Sequence, residues 1–271
     1  MQLTVLVDNN TLIDRYLVGE PGVSYLIEHD GQKILFDTGY SDVFLQNAQT
    51  LQIDLTTIDS IVLSHGHNDH TWGLNHLTQH YDRLNFTPER KINLVCHPDA
   101  LNPKYFDAKS IGINYRFDQN DLFFDKICSK KPYPLTENII FLGQIPRDNK
   151  FEMLTPVGQT VDDNGEITDD YVMDDSALAI KTEEGLVVVT GCSHAGIVTL
   201  SNMPNRLPER ITLCRSLADS ICKMPMKIAS RRQGIILKHY PQIPSIHAIV
   251  PILRLRLAWR VLSKSTRSAL G

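Results

Sequence analysis

Three of the ten histidines fall within six residues, in His65-Gly66-His67-Asn68-Asp69-His70. Imidazoles and a carboxylate this close together suit a borderline divalent metal such as zinc or iron. The cluster follows Ile58 to Leu63, an apolar run that reads as a buried strand ending at Ser64. A strand end, then a turn, then a helix start is where ligand-binding residues collect in α/β proteins. His65 and His67 can point to one side of such a turn, and Asp69 and His70 to a second position nearby. That arrangement permits two metal ions about 3.5–4 Å apart, close enough for one hydroxide to bridge them. Gly66 lets the backbone turn tightly. The rival reading is a polar surface loop rich in histidine, and the placement after a strand argues against it.

The elements that must hold this cluster can be read from periodicity. Leu3 to Val7, Val23 to Ile27 and Lys33 to Phe36 read as strands, the last two forming a hairpin around His29-Asp30-Gly31. Val43 to Leu51 has helical spacing, and Trp72, Leu74 and Leu77 predict a helix after the histidine cluster. Ile92 to Cys96 and Ile139 to Leu142 are strand-like. Ala177 to Ile180 and Leu186 to Thr190 flank Glu183-Glu184-Gly185 as a second hairpin. Residues 101–135 read as an irregular insertion. Hairpins mixed with strand–helix units predict layered α and β structure rather than a plain doubly wound sheet.

The chain has 271 residues, 42% of them hydrophobic, so it can bury a core and is not disordered by composition. No apolar run reaches the length of a membrane span. MQLTVLVDNN lacks a basic region and cleavage site of the secretory type. Cys96, Cys128, Cys192, Cys214 and Cys222 show no paired spacing, so the expectation is a reduced, cytoplasmic protein. Residues 1–198 hold 14 Lys and Arg against 29 Asp and Glu, and residues 199–271 hold 13 against 2. The net charge thus swings from −15 to +11 at one point in the chain, which marks a basic module or a segment of other origin.

Leu63 to His70 resembles the His-x-His-x-Asp-His motif of the metallo-β-lactamase superfamily, and Phe36-Asp37-Thr38-Gly39 resembles its early FDTG element. Val188 to Ile197, with Gly191-Cys192-Ser193-His194-Ala195-Gly196 at its centre, resembles a narrower branch. That branch is named for 7,8-dihydropterin-6-methyl-4-(β-D-ribofuranosyl)aminobenzene-5′-phosphate synthase. Ile145-Pro146-Arg147, Phe151-Glu152 and Asp174 to Leu178 resemble the same branch. The resemblance implies a four-layer αββα sandwich, a metallo-β-lactamase-like domain over residues 1–198 with its C-terminal part incomplete. It implies His65 and His67 as ligands of one metal, with His194 as a later ligand, and Asp69 and His70 as ligands of a second. Asp37 is expected to fix the histidine loop by hydrogen bonds, against the alternative of a simple turn aspartate. His97 either lines the pocket or is an ordinary strand-end residue. Cys192 reads as a buried packing residue rather than a nucleophile, and Trp72 as a core residue at a helix start.

The implied activity is a metal-dependent, hydrolase-like reaction on a small-molecule ester or phosphoester. One or two ions are expected, zinc foremost, with iron or manganese as alternatives. Metal lowers the pKa of bound water from about 15.7 towards about 7, supplying hydroxide at neutral pH, and Asp69 would orient the attacking oxygen. The alternatives are a pterin-linked transferase and a metal-binding pseudoenzyme without catalysis. The oligomeric state is not legible, and no nucleic-acid or membrane partner is expected.

After Val198 the resemblance stops. The branch should continue to Gly-Gly-Phe-His-Leu, whose histidine is the last ligand of the second metal, and then to His-Pro-Cys-His-Cys-Thr. Neither string is present. Reading the third base of each codon with the first two of the next changes this. Leu217 to Cys222 then permits Gly-Gly-Phe-His-Leu, and Ser245 to Pro251 permits His-Pro-Cys-His-Cys-Thr. The offset equals one lost base near codon 198. Residues 199–271 are therefore expected to be an out-of-frame tail rather than a domain, and the chain as it stands to be inactive or nearly so.

Overall fold

The computed structural model describes residues 1–200 apart from 12–13, 119, 148–151, 153–154, 163 and 197–198; beyond 200 it describes only the backbone of three strands. The first strands are β1 (Gln2–Val7), β2 (Ser24–His29), β3 (Gln32–Phe36), β4 (Ser60–Val62) and β5 (Ile92–Cys96). Next come β6 (Lys104–Phe106), β7 (Lys109–Ser110), β8 (Phe124–Cys128), β9 (Tyr133–Pro134) and β10 (Ile139–Phe141). Then follow β11 (Gln159–Val161), β12 (Ile167–Asp169), β13 (Ala177–Thr182) and β14 (Gly185–Thr190). The last three are β15 (Met226–Arg231), β16 (Gly234–His239) and β17 (His247–Ala248). The helices are α1 (Val43–Thr50), α2 (Asn68–Thr71) and α3 (Gly73–Arg83).

These strands make two large sheets and one small one. The first sheet has the order β1-β2-β3-β4-β5-β8, antiparallel up to β3 and parallel from β3 to β8. The second has the order β17-β15-β16-β14-β13-β10-β9. A four-stranded sheet, β12-β11-β6-β7, lies apart from both.

The two faces of the first sheet feed two cores, because strand side chains alternate with period two. Leu26, Leu35, Ile61, Leu63, Leu94 and Cys96 pack with Phe44 and Ala48 of α1 and with Leu74, Leu77 and Tyr81 of α3. Their sequence neighbours Tyr25, Ile27, Ile34, Phe36, Val62 and Val95 face the other way, onto Phe141, Leu178, Ile180, Val187 and Val189 of the second sheet. Helices, sheet and sheet are thus three layers. The fourth layer of the expected sandwich is not among the described residues, and residues 201–225 lie outside them. Among the described residues no helix is long and apolar enough to cross a membrane.

Register positions the site. Phe36 pairs with Val62 and Val62 with Val95, so the parallel strands end level. Asp37 donates its N–H to Val62 O at 2.8 Å, and Leu63 donates to Val95 O at 3.0 Å. Asp37, Ser64 and His97 therefore emerge together at one sheet edge. A one-residue slip of β4 would exchange Ile61 and Val62 between the cores and turn the histidine loop away from Asp37.

Residues 101–135, expected as an irregular insertion, hold four strands: β6, β7, β8 and β9. β8 is parallel to β5 at the sheet edge, with Asp125 and Lys126 exposed. Those charges break the apolar pattern, which is why the strand was not legible. The basic segment after residue 198 is represented by β15 and β16, antiparallel partners of which β16 pairs with β14, and by the short β17 beside β15; residues 201–225, 232–233, 240–246 and 249–271 lie outside the described residues.

Candidate metal centre

The histidine loop leaves β4 and is fixed from three sides. Asp37, at the end of β3 with φ of 56°, accepts hydrogen bonds from Ser64 N and Ser64 Oγ, each at 2.7 Å. Its second oxygen also lies 2.7 Å from His70 Nδ1. That bond leaves His70 Nε2 to point into the site. Gly66 donates its N–H to Asp174 Oδ2 at 2.8 Å. A Cβ on Gly66 would collide with the Ala100 carbonyl, so only glycine fits this close approach. The short helix α2 then swings Asp69 and His70 back over the loop, with Thr71 Oγ1 donating to His67 O at 3.0 Å.

His194 arrives from the opposite sheet, in the loop after β14. Gly191 passes so close to Ser64 Oγ that any side chain there would clash. Ser193, at φ of 58°, reverses the chain. Ala195 N donates to Asp175 Oδ2 at 2.7 Å and pins the loop. Burial pushes the Asp175 carboxyl up to about 7, against the pull of that hydrogen bond and of Arg147.

Five of the expected residues converge. His65 Nε2 lies 3.1 Å from His67 Nδ1, and the His194 ring lies 4.9 and 5.3 Å from the rings of His65 and His67. The three imidazoles offer one nitrogen each within 4.8 Å of one another. Beside them, Asp69 Oδ2 is 3.4 Å from His70 Nε2. The buried His194 Nε2 has no hydrogen-bond partner among the described residues, which is what a ring aimed at an ion leaves behind. Burial and its neighbours His70 and His67 hold His65 well below the usual imidazole range, and burial with His67 and His70 lowers His194 to about 4. Both rings are therefore neutral at pH 7, as a metal ligand must be. Burial opposes a charge on His70, but Cys192, Asp69 and Asp37 outweigh it and hold the ring well above its ordinary value.

His97 does not join them. Its buried Nδ1 accepts from Asp99 N at 3.1 Å and caps the turn Pro98–Leu101, the ordinary strand-end role. Trp72 is half-buried at a helix start, donating Nε1 to Gly112 O at 2.7 Å and stacking on Tyr40. Cys192 departs from the expected buried packing residue. It is half-buried, and its Sγ lies 3.1 Å from His70 Nε2.

Sequence reasoning missed a buried ion triad beneath the loop. Lys104 Nζ lies 2.8 Å from Asp170 Oδ2 and 2.9 Å from Asp174 Oδ1. Asp170 Oδ2 in turn lies 3.7 Å from His67 Nε2. Burial opposes the charge on Asp170, but His67 and Lys104 outweigh it and hold the carboxyl down at about 2. The acidic run around Asp169-Asp170 and Asp174-Asp175 was the one available signal; nothing around Lys104 marks it as buried.

The family model of the metallo-β-lactamase superfamily matches residues 17–99. The chain is 32% identical to the crystal structure of Tm1679, a metal-dependent hydrolase of the β-lactamase superfamily; the match covers 73% of this chain and 68% of that one, with a TM-score of 0.57. The chain belongs to the metallo-β-lactamase superfamily. Its two facing sheets and helical outer layer are that fold. It is also 34% identical over 192 residues to 7,8-dihydropterin-6-methyl-4-(β-D-ribofuranosyl)-aminobenzene-5′-phosphate synthase of Methanocaldococcus jannaschii, covering 66% of this chain. The chain spans 63% of that synthase's length. An uncharacterized protein of the same organism is 32% identical over 208 residues, with 75% of its length covered.

Proposed function

We propose that this superfamily member is a metal-dependent, hydrolase-like enzyme acting on a small-molecule ester or phosphoester. The observation that carries the reading is the convergence of His65, His67 and His194 with an unpartnered buried nitrogen at its centre. A divalent ion there supplies Lewis acidity and a water acidic enough to ionise near pH 7. The chain's residues do the rest. His65 Nε2, His67 Nδ1 and His194 Nε2 would hold that ion, zinc by donor type. Asp69 and His70 offer an oxygen and a nitrogen to a neighbouring position, and the Asp69 carboxylate would orient the attacking water by accepting a hydrogen bond from it. Asp37, through His70 and Ser64, fixes the ring orientation.

The reading is tested by the metal content of the purified protein against the His65→Ala/His67→Ala double variant, alongside an esterase and phosphodiesterase screen. Equal metal content in the two proteins refutes the ligand assignment. The likeness to the synthase favours one alternative, a pterin-linked transferase, and turnover of a pterin pyrophosphate with an aminobenzene ribofuranose phosphate acceptor would replace hydrolysis as the reaction.

We further infer that residues 199–271 are read out of frame, so that the native continuation of the domain is missing and activity is low. The charge reversal and the two strings in one shifted frame support this. Sequencing codons 195–252 tests it: third bases that fail to spell Gly-Gly-Phe-His-Leu and His-Pro-Cys-His-Cys-Thr in that frame make the tail a genuine segment.

A further inference from the structure

Two cysteines that the proposed reaction does not use face each other at the far edge of the first sheet. Cys96 closes β5, Cys128 closes β8, and the two are direct partners in parallel register. Register partners carry their side chains on one face of a sheet. Their Sγ atoms lie 3.9 Å apart, already in contact. Adjacent strands run about 4.8 Å apart, inside the roughly 4.4–6.8 Å window of Cα separation that a disulfide spans. Turning a side chain about χ1 is enough to bring the sulfurs to the bonded distance of about 2.05 Å. We propose that Cys96 and Cys128 form a reversible thiol–disulfide site that takes a hydroperoxide as oxidant and fastens the edge strand β8 to β5. The proposal does not depend on the metal reading.

Burial divides the labour between the two sulfurs. Cys96 is 0% exposed and packs in the core with Leu94 and Tyr81, whereas Cys128 is exposed on the last strand of its sheet. A peroxide can therefore reach Cys128, and Cys96 is reached through Cys128. The contact also sorts the protons. The hydrogen bond to Cys128, with burial, pushes the Cys96 thiol well above its usual range, and the same bond holds Cys128 down at about 7. Cys128 is the nucleophile and Cys96 the resolving thiol.

The step balances. The Cys128 thiolate attacks one peroxide oxygen; the S–O bond forms, the O–O bond breaks, and the departing oxygen leaves as an alcohol or as water after taking a proton. The Cys96 sulfur then attacks the Cys128 sulfenic acid; the S–S bond forms, the S–O bond breaks, and the Cys96 proton leaves with the hydroxide as water. The two thiols lose two electrons and the peroxide gains them. An added dithiol reverses the change by exchange, and a disulfide with one exposed sulfur is of the reducible kind.

The cross-link would act on more than the strand. The cysteines are 32 residues apart, and the excursion between them backs the histidine loop. The Ala100 carbonyl abuts Gly66, Ile111 O accepts from Asn68 N at 2.7 Å, and Gly112 O accepts from Trp72 Nε1 at 2.7 Å. A disulfide closes that excursion at its base.

Peroxide treatment of the full chain at pH 7, followed by alkylation and a tryptic map, tests the proposal. The expected product joins peptide 92–104 to peptide 127–130, in a monomer, and dithiothreitol releases it. In Cys128→Ser, an exposed and near-isosteric change, Cys96 should stay reduced and alkylate once the chain is unfolded. The oxidised wild type should melt at least about 4 °C above the reduced protein, as a cross-link over a loop of this length restrains the unfolded chain, and Cys128→Ser given the same peroxide should show no rise. An S–H···S contact without redox chemistry gives the opposite result: Cys128 climbs to sulfinic acid or pairs with another cysteine while Cys96 stays alkylatable. That result, a linked peptide that dithiothreitol does not release, or a linked peptide without a rise in melting temperature overturns the proposal.

Discussion

Replacing Lys104 by Met tests whether the buried ion triad is a structural foundation of the site. Lys104, Asp170 and Asp174 have side chains only 1%, 3% and 1% exposed. Met keeps the apolar stem and deletes the charge, leaving two carboxylates buried without their cation. Breaking a buried pair in this way costs about 3–5 kcal/mol, against about 0–1 kcal/mol for a solvated surface pair. The pH dependence has a definite sign. In the wild type the Asp170 carboxyl is held down at about 2, below its unfolded value of about 3.9, so its stabilisation is present above pH 4 and lost as pH falls through 2. In Lys104→Met the Asp170 carboxyl loses the cation that holds it down, so the penalty of its buried charge is relieved as pH falls and it takes up a proton. The difference between the proteins should be largest near pH 7 and should close at low pH. Urea unfolding from pH 3 to 7 measures it. Because Asp174 holds Gly66 N and Asp170 faces His67, metal affinity by chelator competition should also fall, by about 10–100-fold. A cost under about 1 kcal/mol that does not vary with pH, with unchanged metal affinity, refutes the reasoning.

Asp37→Asn keeps the shape but removes the acceptor shared by Ser64 Oγ and His70 Nδ1, so metal affinity should drop about 10–100-fold and stability by about 1–3 kcal/mol, read by chelator competition and urea midpoint. Gly66→Ala forces a Cβ into the Ala100 carbonyl, which should cost about 1–3 kcal/mol and loosen the histidine loop; a melting temperature equal to wild type would show that the loop can move aside. The hydrogen bond from Cys96, with help from Lys126 and against burial, lowers the Cys128 thiol to about 7. Its alkylation rate should therefore be half-maximal near pH 7, and Cys96→Ala should move that midpoint up towards about 8.5.

What the sequence disclosed follows from how local each signal is. His65, His67, Asp69 and His70 sit on one turn, so their spacing alone declares a chemistry, and the apolar runs on either side declare the strand and helix. The pairing of Asp37 with that turn is set by parallel registry between β3 and β4, which no periodicity records; the residue could be found only through its resemblance to a known element. Lys104, Asp170 and Asp174 are farther out of reach. They come from β6 and from the loop after β12, 66 and 70 residues apart in the chain. A lysine becomes a buried cation only once tertiary contacts surround it. Cys192 is out of reach for the same reason: a small, soft residue after an apolar strand has the pattern of a packing residue, and only the fold brings it, half-buried, within 3.1 Å of His70 on α2.

If residues 199–271 are read out of frame, the same locality explains how such a segment could still lie on the sheet. β13 and β14 form a hairpin, so β14 turns one edge to β13 and needs a partner for the other. An unpaired edge is a row of free N–H and C=O groups that will accept any extended chain, because backbone hydrogen bonding carries no sequence information. Gly234-Ile235-Ile236-Leu237-Lys238-His239 is rich in β-formers, and it is this run that pairs from Val187 to Thr190. Pairing at that edge therefore argues neither for nor against a native tail. If the frame is shifted, restoring one base should exchange the strand next to β14, raise the second metal's affinity and leave the three-histidine site unchanged, since all its ligands precede the break.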